Sequence, residues 1–452
     1  MEREFDVVVI GAGPAGEVVA GRLAENGLDV ALVEAELVGG ECSYWACMPS
    51  KALLRPAELI AEVKRVPGLT ASGPDPAVVL KRRDEVIHDL DDSAQLPWLE
   101  ERKVTLVRGA GRLDGERRVA VGEEMLVARK AVVVATGSGA AMPPIPGLAE
   151  AKPWTNREAT TASSVPQSLV VLGGGVVGVE LAQAWSSLGS RVTILEGAPR
   201  LIAREEPFAS EQVETALRAA GVDVRTGTKA AAVSREGGGD FTVELEDGST
   251  ASGSELLVAV GRKPATTGVG LESIGLEPGE SIQVGPDLCS TACDWLFAVG
   301  DVNGRSLLTH MGKYQARLAA DAILGKKVEL RSDGALSPRV IFSDPQVAAV
   351  GYTLAGAEEA GLDVRAVDVG TSANAGGSFV GRNAPGTARI VVDEGRGVIV
   401  GATFTGAEVA ESLHAATIAV VAEIPLDVLW HAIPAFPTRS ELWLRLLETY
   451  GL

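Results

Sequence analysis

The amino-terminal part of the chain combines apolar runs with a glycine-rich turn. Residues 5–10, FDVVVI, are mostly apolar and lead into Gly11-Ala-Gly-Pro-Ala-Gly16. A helical pattern then extends to Gly27, and a second mostly apolar run ends at Glu34. The order of strand, G-x-G-x-x-G turn, helix, strand and acid is typical of a dinucleotide-binding βαβ unit.

Each glycine of such a turn has its own task. Gly11 permits the tight turn, Gly13 lets the backbone approach a pyrophosphate, and Gly16 allows the helix to pack closely on the strand. The N–H groups at the start of the helix can bind the phosphates. Glu34 can accept a hydrogen bond from a ribose 2′-hydroxyl.

The pattern recurs at residues 168–196. The glycines and the acid of this second copy are Gly173, Gly175, Gly178 and Glu196. The distance from the first glycine to the acid is 23 residues in both copies, from position 11 to 34 and from 173 to 196. An apolar strand that runs into glycine closes each copy, at Gly137 and at Gly261. Two such units predict two dinucleotides, which suits a flavin oxidoreductase that takes hydride from a nicotinamide.

The acid of the second copy favours NADH over NADPH. Glu196 would bond a free ribose 2′-hydroxyl but repel a 2′-phosphate. Arg191 and Arg200 flank the position and could restore some phosphate binding. We therefore expect FAD and NADH as cofactors.

Length and charge narrow the range of functions. A chain of 452 residues predicts roughly two to four domains. The formal charge of −19, without a clustered basic patch, argues against a nucleic-acid partner. The sequence has neither the features of a secretory signal at its start nor a charge-free apolar stretch of about 18 residues. We expect a soluble, cytoplasmic protein with no membrane partner.

Two of the four cysteines, Cys42 and Cys47, lie in the stretch GECSYWACMPSKALL. They could form a structural disulfide, half of a metal site or a redox pair. A reducing cytosol disfavours the first, and zinc would need two more ligands, for which only Cys289 and Cys293 remain as cysteines. Pro49 predicts that a helix starts just after Cys47, and a helix N-terminus stabilises a thiolate. This favours a redox pair in which Cys47 has the lowered pKa, and no metal is predicted.

The two units and the cysteine stretch resemble the pyridine nucleotide-disulfide oxidoreductases, the family of dihydrolipoamide dehydrogenase, glutathione reductase and mercuric reductase. Other matching segments are Ala135-Thr-Gly137, Val260-Gly-Arg-Lys-Pro264, Leu296-Phe-Ala-Val-Gly-Asp-Val302 and Phe436-Pro-Thr-Arg-Ser-Glu441. The resemblance implies an α/β fold with two Rossmann-like dinucleotide-binding domains and a C-terminal α+β dimerisation domain. It assigns residues 1–150 and 266–334 to FAD, residues 151–265 to NAD(P)H, and residues 335–452 to the interface of a homodimer.

The resemblance also implies roles for single residues. Cys47 would face the flavin, and Cys42 would exchange with the acceptor. Lys51 matches the family's lysine near the flavin, and Glu180 matches the acid beside the nicotinamide. Asp301 matches the acid that holds the flavin ribityl chain.

Two positions depart from the family pattern. In the H-P-T-x-x-E segment, which normally supplies the acid-base histidine, Phe436 replaces the histidine while Glu441 remains. Phenylalanine cannot carry a proton. Of the four histidines, His431 is five residues upstream, and His310 lies in a segment that packs by the flavin in the family. The second departure is Tyr44-Trp45, whose rings either fill space or shape the entrance for the acceptor.

The leading interpretation is an NAD(P)H-dependent flavoprotein that passes electrons from NADH through FAD to a Cys42–Cys47 disulfide. From there they would reach a small-molecule acceptor, which is a disulfide, a quinone, oxygen or a metal. One alternative is a dihydrolipoamide dehydrogenase-type reductase in which Glu441 or His431 supplies the proton. A second is a carboxylase-like variant, because 2-ketopropyl-coenzyme M oxidoreductase/carboxylase also has phenylalanine at this position, although it replaces the glutamate by histidine too. A third is a non-catalytic flavoprotein that serves as an interaction or redox-sensing subunit.

Overall fold

The computed structural model describes residues 1–382 and 384–452. Its strands are β1 (Glu2–Ile10), β2 (Val30–Glu34), β3 (Thr105–Arg108), β4 (Gly111–Leu113), β5 (Arg118–Val121), β6 (Glu124–Val134), β7 (Ser138–Ala140), β8 (Ser168–Leu172), β9 (Arg191–Leu195), β10 (Asp223–Arg225), β11 (Ala230–Arg235), β12 (Phe241–Leu245), β13 (Thr250–Gly253), β14 (Glu255–Val258), β15 (Arg262–Pro264), β16 (Leu296–Ala298), β17 (Arg339–Ile341), β18 (Gln346–Gly351), β19 (Val364–Gly370), β20 (Thr387–Asp393) and β21 (Val398–Gly406). Its α-helices are α1 (Pro14–Glu25), α2 (Gly40–Tyr44), α3 (Cys47–Arg65), α4 (Pro76–Val86), α5 (Leu96–Glu101), α6 (Asn156–Thr161), α7 (Val176–Ser187), α8 (Pro207–Ala219), α9 (Thr309–Ile323), α10 (Leu354–Glu359), α11 (Ala375–Ser378), α12 (Leu413–Val421), α13 (Leu426–Leu429) and α14 (Glu441–Tyr450). Within these described ranges, no helix is both long and apolar enough to span a bilayer.

The described residues form two compact units, each assembled from separate stretches of the chain. The first unit contains Met1–Pro49, Asp84–Ala141 and Arg262–Gly334. The second contains Ser50–Arg83, Met142–Gly261 and Ala335–Leu452. The first copy of the glycine pattern therefore lies in the first unit, and the second copy lies in the second. The division of the chain into three domains with assigned cofactors stays a prediction.

The first unit is built on a seven-stranded sheet with the order β3-β2-β1-β6-β5-β4, in which β16 also pairs with β6. The pairs that join β3, β2, β1, β6 and β16 are parallel, whereas β4 and β5 are antiparallel additions. Residues 7–10 of β1 are at most 3% exposed, as expected for a central parallel strand that is covered on both faces. Helix α1 follows β1 after three residues, so the buried end of β1 positions the first glycine turn.

The second unit repeats this arrangement around the second glycine turn. Strands β10, β9, β8 and β14 form a parallel sheet in that order, and α7 follows β8. Leu169 and Val171 of β8 share a hydrophobic core with Ile194 of β9 and Trp185 of α7. A separate antiparallel sheet of β11, β12 and β13 lies between β10 and β14 in the chain.

The carboxy-terminal part of the second unit is an antiparallel sheet with helices packed on it. Its five strands have the order β17-β18-β21-β20-β19, and every residue of β21 is buried. Phe404 of β21 lies in one hydrophobic core with Leu442 and Leu446 of α14. Together with the two parallel sheets, this α+β region confirms the predicted fold class.

Candidate active site

The first glycine turn has the backbone geometry that its sequence requires. Gly11 has a φ of +101°, and a Cβ there would lie 2.5 Å from the carbonyl oxygen of Ala135. A Cβ on Gly16 would lie 1.8 Å from the carbonyl oxygen of Gly11, so only glycine allows α1 to approach the turn this closely. A Cβ on Gly13 would meet no atom within 4 Å. The turn is therefore tightly packed at both ends and open in the middle.

The second glycine turn has nearly the same geometry. Gly173 has a φ of +107°, and a Cβ there would lie 2.5 Å from the carbonyl oxygen of Ala259. A Cβ on Gly178 would lie 2.0 Å from the carbonyl oxygen of Gly173, whereas one on Gly175 would meet nothing within 4 Å. Two segments far apart in sequence thus form the same open cradle at the start of a helix.

The acids that end the two units are fixed beside their turns. Glu34 Oε2 accepts a hydrogen bond from the N–H of Ala12 at 2.7 Å, and Glu196 Oε2 accepts one from the N–H of Gly174. The other carboxylate oxygen accepts from the N–H two residues further on, at 2.7 Å for Glu34 and 2.6 Å for Glu196. Burial raises the pKa of Glu34 above its ordinary value. Backbone N–H groups therefore hold each carboxylate beside its glycine turn, where it could accept a hydrogen bond from a ribose.

The two cysteines of the predicted redox pair lie on consecutive helices of the first unit. Cys42 lies in α2, and Cys47 is the first residue of α3. Both are thiols rather than a disulfide. The Oγ1 of Thr309, the first residue of α9, lies 3.4 Å from the Sγ of Cys47. A hydrogen bond with Cys47 is the main cause, followed by burial, that raises the pKa of Cys42 well above its ordinary range. The surroundings of Cys42 therefore disfavour a thiolate on that residue.

Tyr44, between the two cysteines, is a core residue. Its side chain is 1% exposed, and its hydroxyl donates a hydrogen bond to the carbonyl oxygen of Val38 at 3.1 Å. Its ring meets the ring of Trp45 edge to face, with 5.8 Å between the centroids. Burial raises the pKa of Tyr44 to about 12. Tyr44 thus packs beneath α2 and holds it in place. Of the two rings, only that of the half-buried Trp45 could shape an entrance for the acceptor.

Asp301 is the centre of a polar network in the first unit. Ser138 donates a hydrogen bond from Oγ to Asp301 Oδ2 at 2.5 Å, and Arg262 Nε donates to Ser138 Oγ at 2.7 Å. Arg262 Nε also lies 3.7 Å from Asp301 Oδ2, and an Arg262 terminal nitrogen lies 3.7 Å from Glu41 Oε1. Burial raises the pKa of Asp301 above its ordinary value, while the Ser138 hydrogen bond and the charge of Arg262 oppose this. Gly137, with a φ of +72°, leads into this network.

Lys51 and Glu180 form an ion pair in the second unit. Lys51 Nζ donates to Glu180 Oε2 at 2.7 Å, and the side chain of Glu180 is only 4% exposed. The other oxygen of Glu180 accepts from the backbone N–H of Phe342 at 2.9 Å, and Lys51 Nζ lies 4.8 Å from the centroid of the Phe342 ring. The buried carboxylate is therefore paired with a charge and satisfied by the backbone, as a buried ion needs.

Phe436 is 76% exposed, so its ring does not fill a core position in this chain. Glu441 is the buried first residue of α14, and its Oε2 accepts a hydrogen bond from the N–H of Gly376 at 3.3 Å. All of the histidines of the chain are exposed, and they are His88, His310, His414 and His431. Glu441 thus holds a backbone turn, and the assignment of Phe436 to the family's acid-base position stays a prediction. Gly261, the glycine that the sequence places at the end of the second dinucleotide-binding unit, follows β14 and has a φ of +143°.

Comparison with known proteins identifies the family. The sequence model of the pyridine nucleotide-disulphide oxidoreductase family matches residues 5–320, and the sequence model of the family's dimerisation domain matches residues 337–446. The chain belongs to the pyridine nucleotide-disulphide oxidoreductase family. It is 35% identical to a dihydrolipoyl dehydrogenase of Chlorobaculum tepidum over 97% of this chain and 95% of the relative. It is also 32% identical to a mercuric reductase of Shigella flexneri, over 92% of this chain and 75% of the relative.

A solved structure of the same family has the same fold over its full length. The HOCl-induced flavoprotein disulfide reductase RclA from Escherichia coli, in a Cu(II) complex, superposes with a TM-score of 0.87 at 26% identity. The superposition covers 99% of each chain. This chain is therefore a flavoprotein disulfide oxidoreductase, whose family uses FAD and NAD(P)H. The matched dimerisation domain indicates a homodimer.

The residues around the first turn fit a bound FAD. The open space at Gly13 is the cradle that a pyrophosphate needs. Gly40 covers that turn so closely that a Cβ there would lie 2.7 Å from the Cα of Gly13. The Oγ1 of Thr136, two residues after the end of β6, is buried without a hydrogen-bond partner in the part of the chain that the structure describes. A polar atom of this kind is normally satisfied by a ligand or by water.

The sequence analysis missed several side chains of the first unit. Ser138 and Arg262 complete the Asp301 network, Thr309 contacts Cys47, and Lys313 carries a positive charge that lowers the pKa of Cys42. Arg262 lies within the segment 260–264 and Thr309 directly precedes His310, and these places in segments already noted for the resemblance are the one signal that marks them. Their contacts span 124 and 262 positions in sequence, so no local pattern predicts them.

The remaining cysteines lie apart from the redox pair in the sequence and form a loop contact. Cys289 Sγ lies 3.5 Å from the carbonyl oxygen of Cys293. Burial, followed by the charge of Asp287, raises the pKa of Cys289 to about 11. Among the described residues, no three His, Cys, Asp or Glu side chains are grouped in a way that could hold a metal ion. Burial also raises the pKa of Cys293 above its ordinary value.

Proposed function

We propose that this protein oxidises NADH and delivers the electrons through Cys47 and Cys42 to an acceptor whose reduction needs little acid catalysis. The observation that carries the proposal is a complete thiol pair in a chain whose acid-base position is Phe436. The surroundings of Cys42 disfavour a thiolate there, and α3 begins at Cys47, where a helix N-terminus favours one. Disulfides, quinones, oxygen and metal ions are the acceptor classes to be compared.

The first glycine turn is proposed to hold FAD, and the second NADH. The contacts of Arg200 support NADH over NADPH. Its guanidinium donates to the carbonyl oxygens of Glu205 at 2.8 Å and Ala203 at 2.7 Å, and to Ser210 Oγ at 2.6 Å. Because its guanidinium makes these three local hydrogen bonds, Arg200 is poorly placed to bind a 2′-phosphate. Glu196 then faces the ribose as an acceptor, and it would repel a phosphate.

The residues of the chain divide the work as follows. When bound, FAD would supply the hydride chemistry and take two electrons and a proton from the nicotinamide. Those two electrons would break the S–S bond of the Cys42–Cys47 disulfide, and the one proton that came with the hydride would leave one thiol and one thiolate. The surroundings of Cys42 favour the proton on Cys42, so that Cys47 would be the thiolate. By the family resemblance, Asp301 would hold the flavin ribityl chain, Lys51 would lie near the flavin, and Glu180 would lie beside the nicotinamide.

The second candidate is a lipoamide reductase with a substitute acid. Relatives that are named dihydrolipoyl dehydrogenase make lipoamide the disulfide to test. The geometry gives little support to the substitutes. Glu441 uses its carboxylate to accept the N–H of Gly376, and His431 lies on the surface. A proton donor for a leaving thiolate would have to be added at position 436.

Steady-state turnover of NADH with lipoamide separates the two candidates. We expect slow turnover by the wild type and an increase of roughly 10²- to 10⁴-fold in Phe436→His, because acid-base groups contribute about that much. Phe436→Leu is the matched control, since it removes the ring and adds no proton carrier, and it should stay slow. An acceptor screen with quinones, oxygen and metal ions should rank at least one of these above lipoamide for the wild type. Fast lipoamide turnover by the wild type would instead favour the second candidate.

A further inference from the structure

Thr309 brings a hydroxyl to the sulfur that receives the electrons. Its Oγ1 lies 3.4 Å from Cys47 Sγ, within the range of a sulfur hydrogen bond. The two residues are the first of their helices, Thr309 of α9 and Cys47 of α3. Two helix N-termini in the first unit therefore present their opening residues to each other, and the contact joins them side chain to side chain.

The direction of this hydrogen bond depends on the charge of the sulfur. A thiol can donate or accept, but a thiolate can only accept. Once Cys47 is a thiolate, the Thr309 hydroxyl must therefore be the donor. A hydrogen bond to the charged form of a group favours that form. The hydroxyl also acts on Cys42 in the same direction, but the hydrogen bond with Cys47 and burial outweigh it there.

Other titratable groups lie on the helices that carry Cys42, Cys47 and Thr309. Cys42 is on α2, and Lys313 is one turn further along α9 from Thr309 and favours a negative charge at Cys42. His310 follows Thr309 in α9 and is exposed, and Lys51 lies four residues after Cys47 in α3. None of these side chains changes when Thr309 is replaced by valine, which has the same shape and no hydroxyl.

We propose that Thr309 is a catalytic residue that stabilises the Cys47 thiolate by donating its hydroxyl hydrogen bond to Sγ. The inference rests on the proposed function only in taking Cys47 as the thiol that carries the charge. The hydroxyl takes no part in electron transfer. It supplies one of the donors that hold the reduced pair in the charge state from which Cys42 can react.

The test measures alkylation of Cys47 by iodoacetamide as a function of pH. The full-length, flavin-containing protein is reduced with dithiothreitol and freed of it anaerobically, and peptide fragmentation assigns the label to Cys42 or Cys47. Thr309→Val should raise the apparent pKa of Cys47 by about one unit, the low end for a hydrogen bond to a charged group. Below that pKa, its alkylation rate should fall roughly tenfold. Thr309→Ser, which keeps the hydroxyl, should follow the wild type.

The outcomes distinguish this inference from the proposed function. Identical profiles for wild type, Thr309→Ser and Thr309→Val would overturn the role of Thr309, whatever the acceptor is. A shift of the same size in both variants would also overturn it, because Thr309→Ser keeps the hydroxyl, so packing at this position rather than the hydroxyl would then set the pKa of Cys47. The alkylation profile needs no turnover, so it stays informative if NADH fails to reduce the flavin, a result that would overturn the proposed function alone.

Discussion

At the scale of single residues, Glu17 shows how burial changes the chemistry of one side chain. It lies in the first turn of α1, and burial raises its pKa to about 7 from an ordinary value of 4.5, while the charge of Lys313 opposes the shift. An acid that is hard to ionise costs stability once it is ionised. Between these two pKa values the folded protein binds more protons than the unfolded chain, so stability falls as pH rises through this window.

Glu17→Gln should therefore stabilise the protein in a pH-dependent way. The gain over the wild type should be small near pH 4.5, grow as pH rises to 7, and reach up to about 3 kcal/mol above pH 7. Melting temperatures at pH 5 and pH 8 measure it, with a gain of a few degrees expected at pH 8. Glu25→Gln is the control, because Glu25 is an exposed acid on the same helix. An equal gain at both pH values would show that the pKa of Glu17 is ordinary.

At the scale of elements, the structure separates what local sequence can predict from what it cannot. Both glycine turns and the start of α3 at Cys47 follow from patterns within about 25 residues, because the steric limits on a turn act between near neighbours. The Asp301 network and the contact of Thr309 with Cys47 join segments 163 and 262 positions apart. Such contacts depend on how sheets and helices assemble. The sequence could not decide whether the Tyr44 ring fills space or shapes the entrance for the acceptor. Both arrangements are compatible with the same local pattern.

The two turns predict a matched pair of variants. A Cβ on Gly13 or on Gly175 meets no protein atom, so Gly13→Ala and Gly175→Ala should both fold. Each added methyl group would occupy the space through which a pyrophosphate approaches. Gly13→Ala should be purified with little flavin, whereas Gly175→Ala should keep its flavin and show a KM for NADH raised by at least tenfold. Flavin content and NADH titration measure these effects. Loss of flavin from Gly175→Ala would reverse the proposed assignment of the cofactors.

At the scale of the whole molecule, the residues proposed to bind FAD and NADH and to pass electrons to the acceptor come from distant parts of the chain. The family uses FAD and NAD(P)H, and the matched dimerisation domain indicates a homodimer. Phe436 lies in that domain and is 76% exposed in a single chain. The proposed function takes Phe436 as the replacement for the family's acid-base histidine, so that the thiols would transfer electrons without a proton from this position.

The central claim is that electrons from NADH reach Cys47 and Cys42, and anaerobic titration with NADH tests it most directly. In the wild type, we expect a long-wavelength thiolate-to-flavin charge-transfer absorption to grow as NADH is added. Cys47→Ser should lack this absorption, and Cys42→Ser should show it before any NADH is added, because its Cys47 cannot enter the disulfide. A wild-type protein whose flavin is bleached by NADH without this absorption would contradict the account.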